Sequence, residues 1–219
     1  MSEIKHITLG AGEHHHEPMI VEAGAHSVRV VLEAGAHLHV AAFVLAVEQA
    51  ARLSIEVDIE GEGAEFHFNA LFVARGTEEA VINVRVNHMV PGCVSRQLIK
   101  GIVADAATGS FTGMVHVAPG AMGTYAVQRN QNLQLTDTAH VFTRPQLEIY
   151  ADDVRCSHGA TVGRLDPEAI YYMRQRGVSE VEARRLQMQG FVDEIVNHCP
   201  SEAFRKSISM RIGTLIDRL

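Results

Sequence analysis

Between Val21 and Val162 the chain repeats itself at a spacing that few folds can accommodate. Short runs of alternating apolar residues recur: Val28–Leu32, Leu38–Phe43, Leu53–Ile59, Phe66–Phe72, Val81–Val86, Gln97–Val103, Phe111–Val117 and Leu133–Leu135. Small or turn-like positions open them at Ala25, Ala36, Ala51, Ala64, Ala80, Cys93, Gly109, Met122 and Ala139, at intervals of 11, 15, 13, 16, 13, 16, 13 and 17 residues. Short and long intervals alternate, so the repeating unit is a pair of strands occupying 26 to 30 residues. A period in that range marks a solenoid, whose units bury their apolar faces by stacking on their neighbours. A hairpin sandwich also spaces its strands regularly, but it draws on Asn-Gly and Asp-Gly turns, and neither dipeptide occurs. The chain is therefore expected to be mainly β, a parallel β-helix with two strands per turn and roughly five turns. It is expected to be right-handed, as crossovers between parallel strands are almost without exception.

Ahead of Val21 no periodicity is visible, and the first twenty residues read as a solvated strand or loop. The His14-His15-His16 triplet there could hold an adventitious metal ion. After Gly163 the apolar period changes from two to 3.6. Asp166-Pro167-Glu168 places a cap, a first-turn proline and a first-turn acid in order, and Gly177 stops the helix. Ser179 to Glu182 forms a capping box, opening a helix expected to turn Val181, Leu186, Phe191 and Ile195 to one side. Pro200 breaks that helix and Ser201 caps another, which buries Phe204, Ile208, Ile212, Leu215 and Leu219. The β-helix is assigned to residues 1–164, and residues 165–219 to an α-helical C-terminal cap over its last turn.

Composition narrows the function. A net charge of −7 without a basic run argues against nucleic acid and against anionic membrane surfaces. No apolar run reaches the length of a membrane span, and the N-terminus lacks a secretory signal pattern. Three widely spaced cysteines, Cys93, Cys156 and Cys199, do not make a disulfide framework, so the cytoplasm is the expected location. Of the 13 histidines, His26, His37, His39, His67, His88 and His116 are expected at corners or on the solvent-facing side of strands.

Chemistry concentrates in Pro145–Gly163, P-Q-L-E-I-Y-A-D-D-V-R-C-S-H-G-A-T-V-G. Leu147, Ile149 and Ala151 alternate with Glu148, Tyr150 and Asp152 until the Asp152-Asp153 pair interrupts the pattern. Beyond it Val154, Cys156 and His158 share one face if the backbone stays extended, with Cys156 and His158 about 6–7 Å apart at Cα. Thiolate and imidazole suit iron–sulfur clusters and zinc, whereas Asp152, Asp153 and Asp166 are hard oxygen donors. A small metal-dependent enzyme using these groups is one reading. No nucleotide-binding glycine loop and no nucleophile elbow occurs. The His37-x-His39 pair followed by Glu48 has cupin residue types at the wrong spacing.

The run PQLEIYADDVRCSHGATVGRLD, followed by EAIYYMRQRGVSEVEARRLQMQGF, resembles the C-terminal signature of the SufB/SufD family, on its SufD side. The resemblance implies a right-handed parallel β-helix with a short helical domain, and a non-catalytic scaffold role in iron–sulfur cluster assembly alongside an ABC-type ATPase. It implies that His158 lies at the interface with a SufB-like partner and takes part in cluster formation, with Cys156 beside it. The cluster would be transient and shared with a partner chain, a SufB-like subunit or a second copy. It also implies that the helical region docks a SufC-like ATPase, the candidates being Tyr171, Tyr172, Arg174, Arg176, Gly177 and Arg184.

Overall fold

The computed structural model describes residues 4–199 and 201–219, so Pro200 lies outside the described residues. Twelve strands run β1 (Ile4–Leu9), β2 (His14–Val21), β3 (Gly24–Leu32), β4 (His37–Ala46), β5 (Ala51–Ile59), β6 (Glu65–Ala74), β7 (Glu79–His88), β8 (Val94–Val103), β9 (Thr108–Val117), β10 (Tyr125–Gln134), β11 (His140–Ile149) and β12 (Arg155–Gly163). Three helices follow: α1 (Pro167–Gln175), α2 (Glu180–Val196) and α3 (Glu202–Ile216). The odd strands stack in order into one six-stranded sheet and the even strands into a second. Every pairing is parallel, which is the solenoid the repeat spacing demands.

The small residues of the repeat fall into register. Ala51 pairs with Ala80 and Ala80 with Gly109, while Ala36, Ala64 and Cys93 form a second buried column. Met122 does not continue that column: it is 53% exposed, and Thr124 takes the place, accepting the amide of Arg155 on its carbonyl. The corner before each even strand carries a left-handed residue, in the order Gly12, Gly35, Gly63, Gly92, Gly123 and then Asp153 at φ 52°. Only glycine adopts that conformation freely, with aspartate among the few tolerated substitutes. The Asp152-Asp153 interruption is thus the last corner of the solenoid.

The interior holds Val28, Val30, Leu32, Leu38, Leu53, Phe66, Phe68, Phe72, Ile82 and their neighbours, all buried. His88 is the exception to the expectation of solvent-facing histidines, because it is fully buried. It continues the inward alternation of Ile82, Val84 and Val86, and its Nε2 lies 2.9 Å from Ser95 Oγ. The solenoid also begins earlier than the periodicity suggests. β1 and β2 form a first rung whose inner side carries Lys5, His15 and Glu17, paired at 2.8 Å and 3.3 Å.

The helices do not cover the last turn. Ile195, Ile208, Ile212 and Ile216 pack on the outer side of the even-strand sheet, against Ala41, Phe43, Leu45, Leu71, Val73 and Ile102 of β4, β6 and β8. Those strands present apolar residues on both sides, so their outer surface needs a cover, whereas β12 is exposed along nearly its whole length. Fully burying side chains of this size stabilises by roughly 1.5–3 kcal/mol each. Capping follows the sequence: Asp166 accepts the amide of Glu168, Ser179 that of Glu182 and Ser201 that of Phe204. The inward side of α2 is Ala183, Met188, Val192 and Ile195. Val181 and Leu186, 78% and 44% exposed, turn away. Apolar residues lie all round this helix, so periodicity alone does not select its buried side.

Candidate functional site

The twelfth strand ends the even sheet with one edge unpaired, and β11 ends the odd sheet in the same way. In register, Cys156 sits above Ala126, Ser95 and Phe66, and His158 above Gln128, Gln97 and Phe68. All six of those residues are buried. Cys156 and His158 therefore share the inward face, as the alternation requires, at a mouth no further rung closes. The opposite wall of the mouth is Val141, Thr143, Pro145 and Leu147, half-buried over Gly109, Phe111, Gly113 and Val115.

Beneath the mouth the interior changes character. Rungs β4 and β6 fill it with Leu, Val and Phe, but β8 and β10 bring in Ser95, Gln97, Gln128, Asn130 and Asn132, all buried. Gln128 Nε2 donates to Gln97 Oε1 at 2.9 Å, Asn132 Nδ2 to Asn130 Oδ1 at 2.7 Å, and Asn130 Nδ2 to the carbonyl of Ile99 at 3.2 Å. Gly113 makes room, since a Cβ there would lie 2.4 Å from the Gln128 amide. Gln97 Nε2 and Gln128 Oε1 keep no partner, so the amide column under His158 retains unused donor and acceptor capacity. Sequence reading missed this column, whose signal is polar residues at the inward phase of β8 and β10.

Cys93 and Cys199 are buried, and Cys156 alone of the three thiols is half-exposed. Burial raises the Cys156 thiol above its ordinary value, against an opposing hydrogen bond from the Ala126 backbone. The group is thus a thiol at neutral pH and must lose its proton to bind metal. Of the nearby acids, Asp166 is engaged by its carboxylate in capping α1, while Asp153 shapes the final corner, where its backbone carbonyl accepts the amide of Gly123. As the side chains stand, no three His, Cys, Asp or Glu groups among the described residues converge on a point able to hold a metal ion.

The residues expected to dock an ATPase gather, apart from the mouth, around the α1–α2 turn. Tyr171 and Tyr172 are 64% and 58% exposed. Arg176 lies over the Tyr172 ring at 4.5 Å, Arg174 pairs with Glu180 at 3.1 Å, and Gly177 makes the turn at φ 87°. Arg184, with Arg164, Tyr171 and Arg174, lines a cleft of about 410 Å³. No helix among the described residues is long and apolar enough to cross a membrane.

A parallel β-helix with an open, thiol- and imidazole-bearing last rung and helices folded back over one sheet defines an architectural class. The model for the SufBD core domain of the SUF system for FeS cluster assembly matches residues 10–191, and the chain belongs to the SufB/SufD family. It is 38% identical over 162 residues to the iron–sulfur cluster assembly protein SufD of Escherichia coli, covering 74% of this chain and 38% of that protein. A SufBD family protein of Synechocystis is 35% identical over 151 residues (68% and 33% covered), and SufD of Bacillus subtilis 31% identical over 151 residues (69% and 35%). The chain thus spans between a third and two-fifths of the length of these relatives.

Proposed function

We propose that this chain is a non-catalytic scaffold subunit of a cytoplasmic iron–sulfur cluster assembly system, working with a SufC-like ATPase and a SufB-like subunit or a second copy of itself. One observation carries the reading: the last rung is left uncovered and places Cys156 and His158 side by side on its inner face. Unpaired parallel strand edges are templates for another chain, and soluble proteins normally blunt them. Here the edges flank half-buried Val141, Pro145 and Leu147, a surface that a partner rung would bury.

The chemistry agrees. A thiolate and an imidazole are ligands for iron–sulfur chemistry, but two are fewer than a cluster takes from protein. The partner supplies the remainder, and the cluster, as cargo, leaves when the pair separates or rearranges. The exposed tyrosines and arginines of the α1–α2 turn fit the anchors that dominate protein interfaces, and this acidic chain would meet the ATPase there through local positive charge.

Anaerobic reconstitution with iron and sulfide tests the reading. The isolated chain should take up little cluster, and addition of the SufB-like partner should produce visible absorbance that His158→Ala abolishes and Cys156→Ser diminishes. Equal cluster yield in His158→Ala and wild type would remove the role proposed for the mouth.

A further inference from the structure

The outer side of the even sheet carries a second grouping of ligand-type side chains, on the first rungs and far along the solenoid from the mouth. Parallel pairing sets His14, His37 and Glu65 in one column and His16, His39 and His67 in the adjacent one. Consecutive rungs are about 4.8 Å apart and residues two apart in a strand about 6.6 Å, so five imidazoles and a carboxylate share one small patch. They line most of a pocket of about 190 Å³.

Within the patch Glu65 is the hub. Its Oε2 lies 3.3 Å from His67 Nε2 and 3.7 Å from His37 Nδ1. Donors bonded to one tetrahedral zinc ion at about 2.0–2.2 Å stand about 3.3–3.5 Å apart. The Glu65–His67 pair already meets that separation and the His37–Glu65 pair exceeds it by a few tenths of an ångström. The three groups do not converge on one point as the side chains stand, and rotation of their side chains must complete the site. Both rings are more than a third exposed, which leaves room on the solvent side for such χ rotations. His14 stacks on the His37 ring at 4.4 Å with an 8° interplanar angle, and this holds the ring upright toward the hub. The neighbouring ligand-type ring is committed: Asn69 Nδ2 lies 2.8 Å from His39 Nε2. The occupant at present is Arg96, whose guanidinium sits 3.4 Å from His67 Nε2 and 4.0 Å from Glu65 Oε2. The same side chain reaches over the Tyr125 ring, 5.0 Å away, which gives it a place to turn when a competing cation arrives.

We propose that His37, Glu65 and His67 form a binding site for one borderline divalent transition-metal ion of the zinc class, with a fourth position open to water. Imidazole and carboxylate are the donors such ions take from protein, and the second-rung and third-rung strands hold them in register through the backbone. The site is independent of the cluster-assembly reading, because none of its residues lies in the mouth or the helical turn.

The test is zinc titration of the full-length chain by competition with a chromophoric chelator, with cobalt substitution as a spectroscopic check. Wild type should bind one equivalent, and cobalt should give the intense visible bands of a tetrahedral site. His67→Ala and Glu65→Gln should each weaken zinc at least tenfold, while Arg96→Ala should tighten it by removing the resident cation. Circular dichroism should show all three variants folded, as their exposed positions allow. Unchanged affinity in His67→Ala and Glu65→Gln, or weaker binding in Arg96→Ala, would overturn the proposal. So would a loss confined to a His14→Ala/His16→Ala double variant, which would put the ion in the N-terminal triplet.

Discussion

Lowering the pH should destabilise this protein, and His88 should contribute to that loss by an amount the structure sets. The imidazole is fully buried, its Nε2 faces Ser95 Oγ at 2.9 Å, and its Nδ1 has no partner. A bare lone pair at Nδ1 is tolerable, but a proton there would be a charged donor without an acceptor in an apolar interior. Burial accordingly lowers the pKa from 6.5 to about 4. Above pH 6.5 neither the folded nor the unfolded chain holds the proton, and the contribution of His88 is intact. As pH falls through 6.5 the unfolded chain is protonated first, and stability is lost until the folded ring itself titrates near 4. Integrating between those values gives a loss of about 1.5 kcal/mol at pH 5.5 and about 2.5 kcal/mol at pH 4.5. Urea unfolding at pH 7.5, 5.5 and 4.5 measures it. The comparison is a His88→Leu/Ser95→Ala double variant, which removes both polar partners and leaves no orphan. His39, also held at about 4 by burial and by its neighbours His67, His16 and His198, is present in both proteins and cancels. If wild type and double variant lose stability in parallel between pH 7.5 and 4.5, the buried ring is not the titrating group.

Three further outcomes follow from packing. Gly101→Ala should cost about 1–3 kcal/mol in urea unfolding, since its Cβ would lie 2.1 Å from Cζ of the buried Phe72; a neutral result would mean that the ring has room to move. Lys100 is 4% exposed on its side chain, ion-paired with Glu194 and 3.0 Å from the Phe191 carbonyl oxygen. Glu194→Ala should therefore destabilise by about 1–2 kcal/mol, because it strands a buried ammonium, whereas Lys100→Met should be within about 1 kcal/mol of wild type; the reverse order in thermal unfolding would contradict this. Truncation after Gly163 should give an aggregating chain, because it exposes Phe43, Leu71, Val73 and Ile102 on the sheet face; a soluble monomer by light scattering would show that this face does not need its helices.

The solenoid was legible because its determinants are periodic. Inward Val28, Val30 and Leu32, or Phe66, Phe68 and Phe72, state the strand, its phase and its corners together. The same phase, applied strictly, puts His88 inside with Val84 and Val86, although histidine is fully buried less often than the aliphatic residues. β1 and β2 are hard to read because Lys5, His15 and Glu17 replace apolar residues on the inner side and satisfy one another there, leaving only the short pairs Ile7 with Leu9 and Met19 with Val21 to carry the alternation. At the mouth, the common face of Cys156 and His158 follows from spacing within one strand. The amide column beneath them is a relation between strands about 30 residues apart, and single-strand alternation carries no information about register. Where the helices would dock was illegible for a similar reason: an apolar stripe says that something must be covered, not which surface does it.

That docking has a consequence for how the array comes apart. In a one-dimensional stack each repeat holds only its neighbours, and opening starts at either end. Here α3 reaches back to the first rungs, with Arg211 on Glu22 and Phe204 on Phe43 at 5.9 Å, while α2 meets Lys100 on the fourth rung. The tail is a latch that ties the first four rungs into one cooperative unit, so the N-terminal end can fray only if the helices lift. The last two rungs lie largely outside the latch: the fifth meets the helical cluster only through Leu133 and Leu135, and the sixth only where β12 leads into α1. Hydrogen exchange should find them the least protected part of the solenoid, opening together at a free energy below that of global unfolding. An end that loosens without risk to the rest can be remodelled each time a partner arrives or departs.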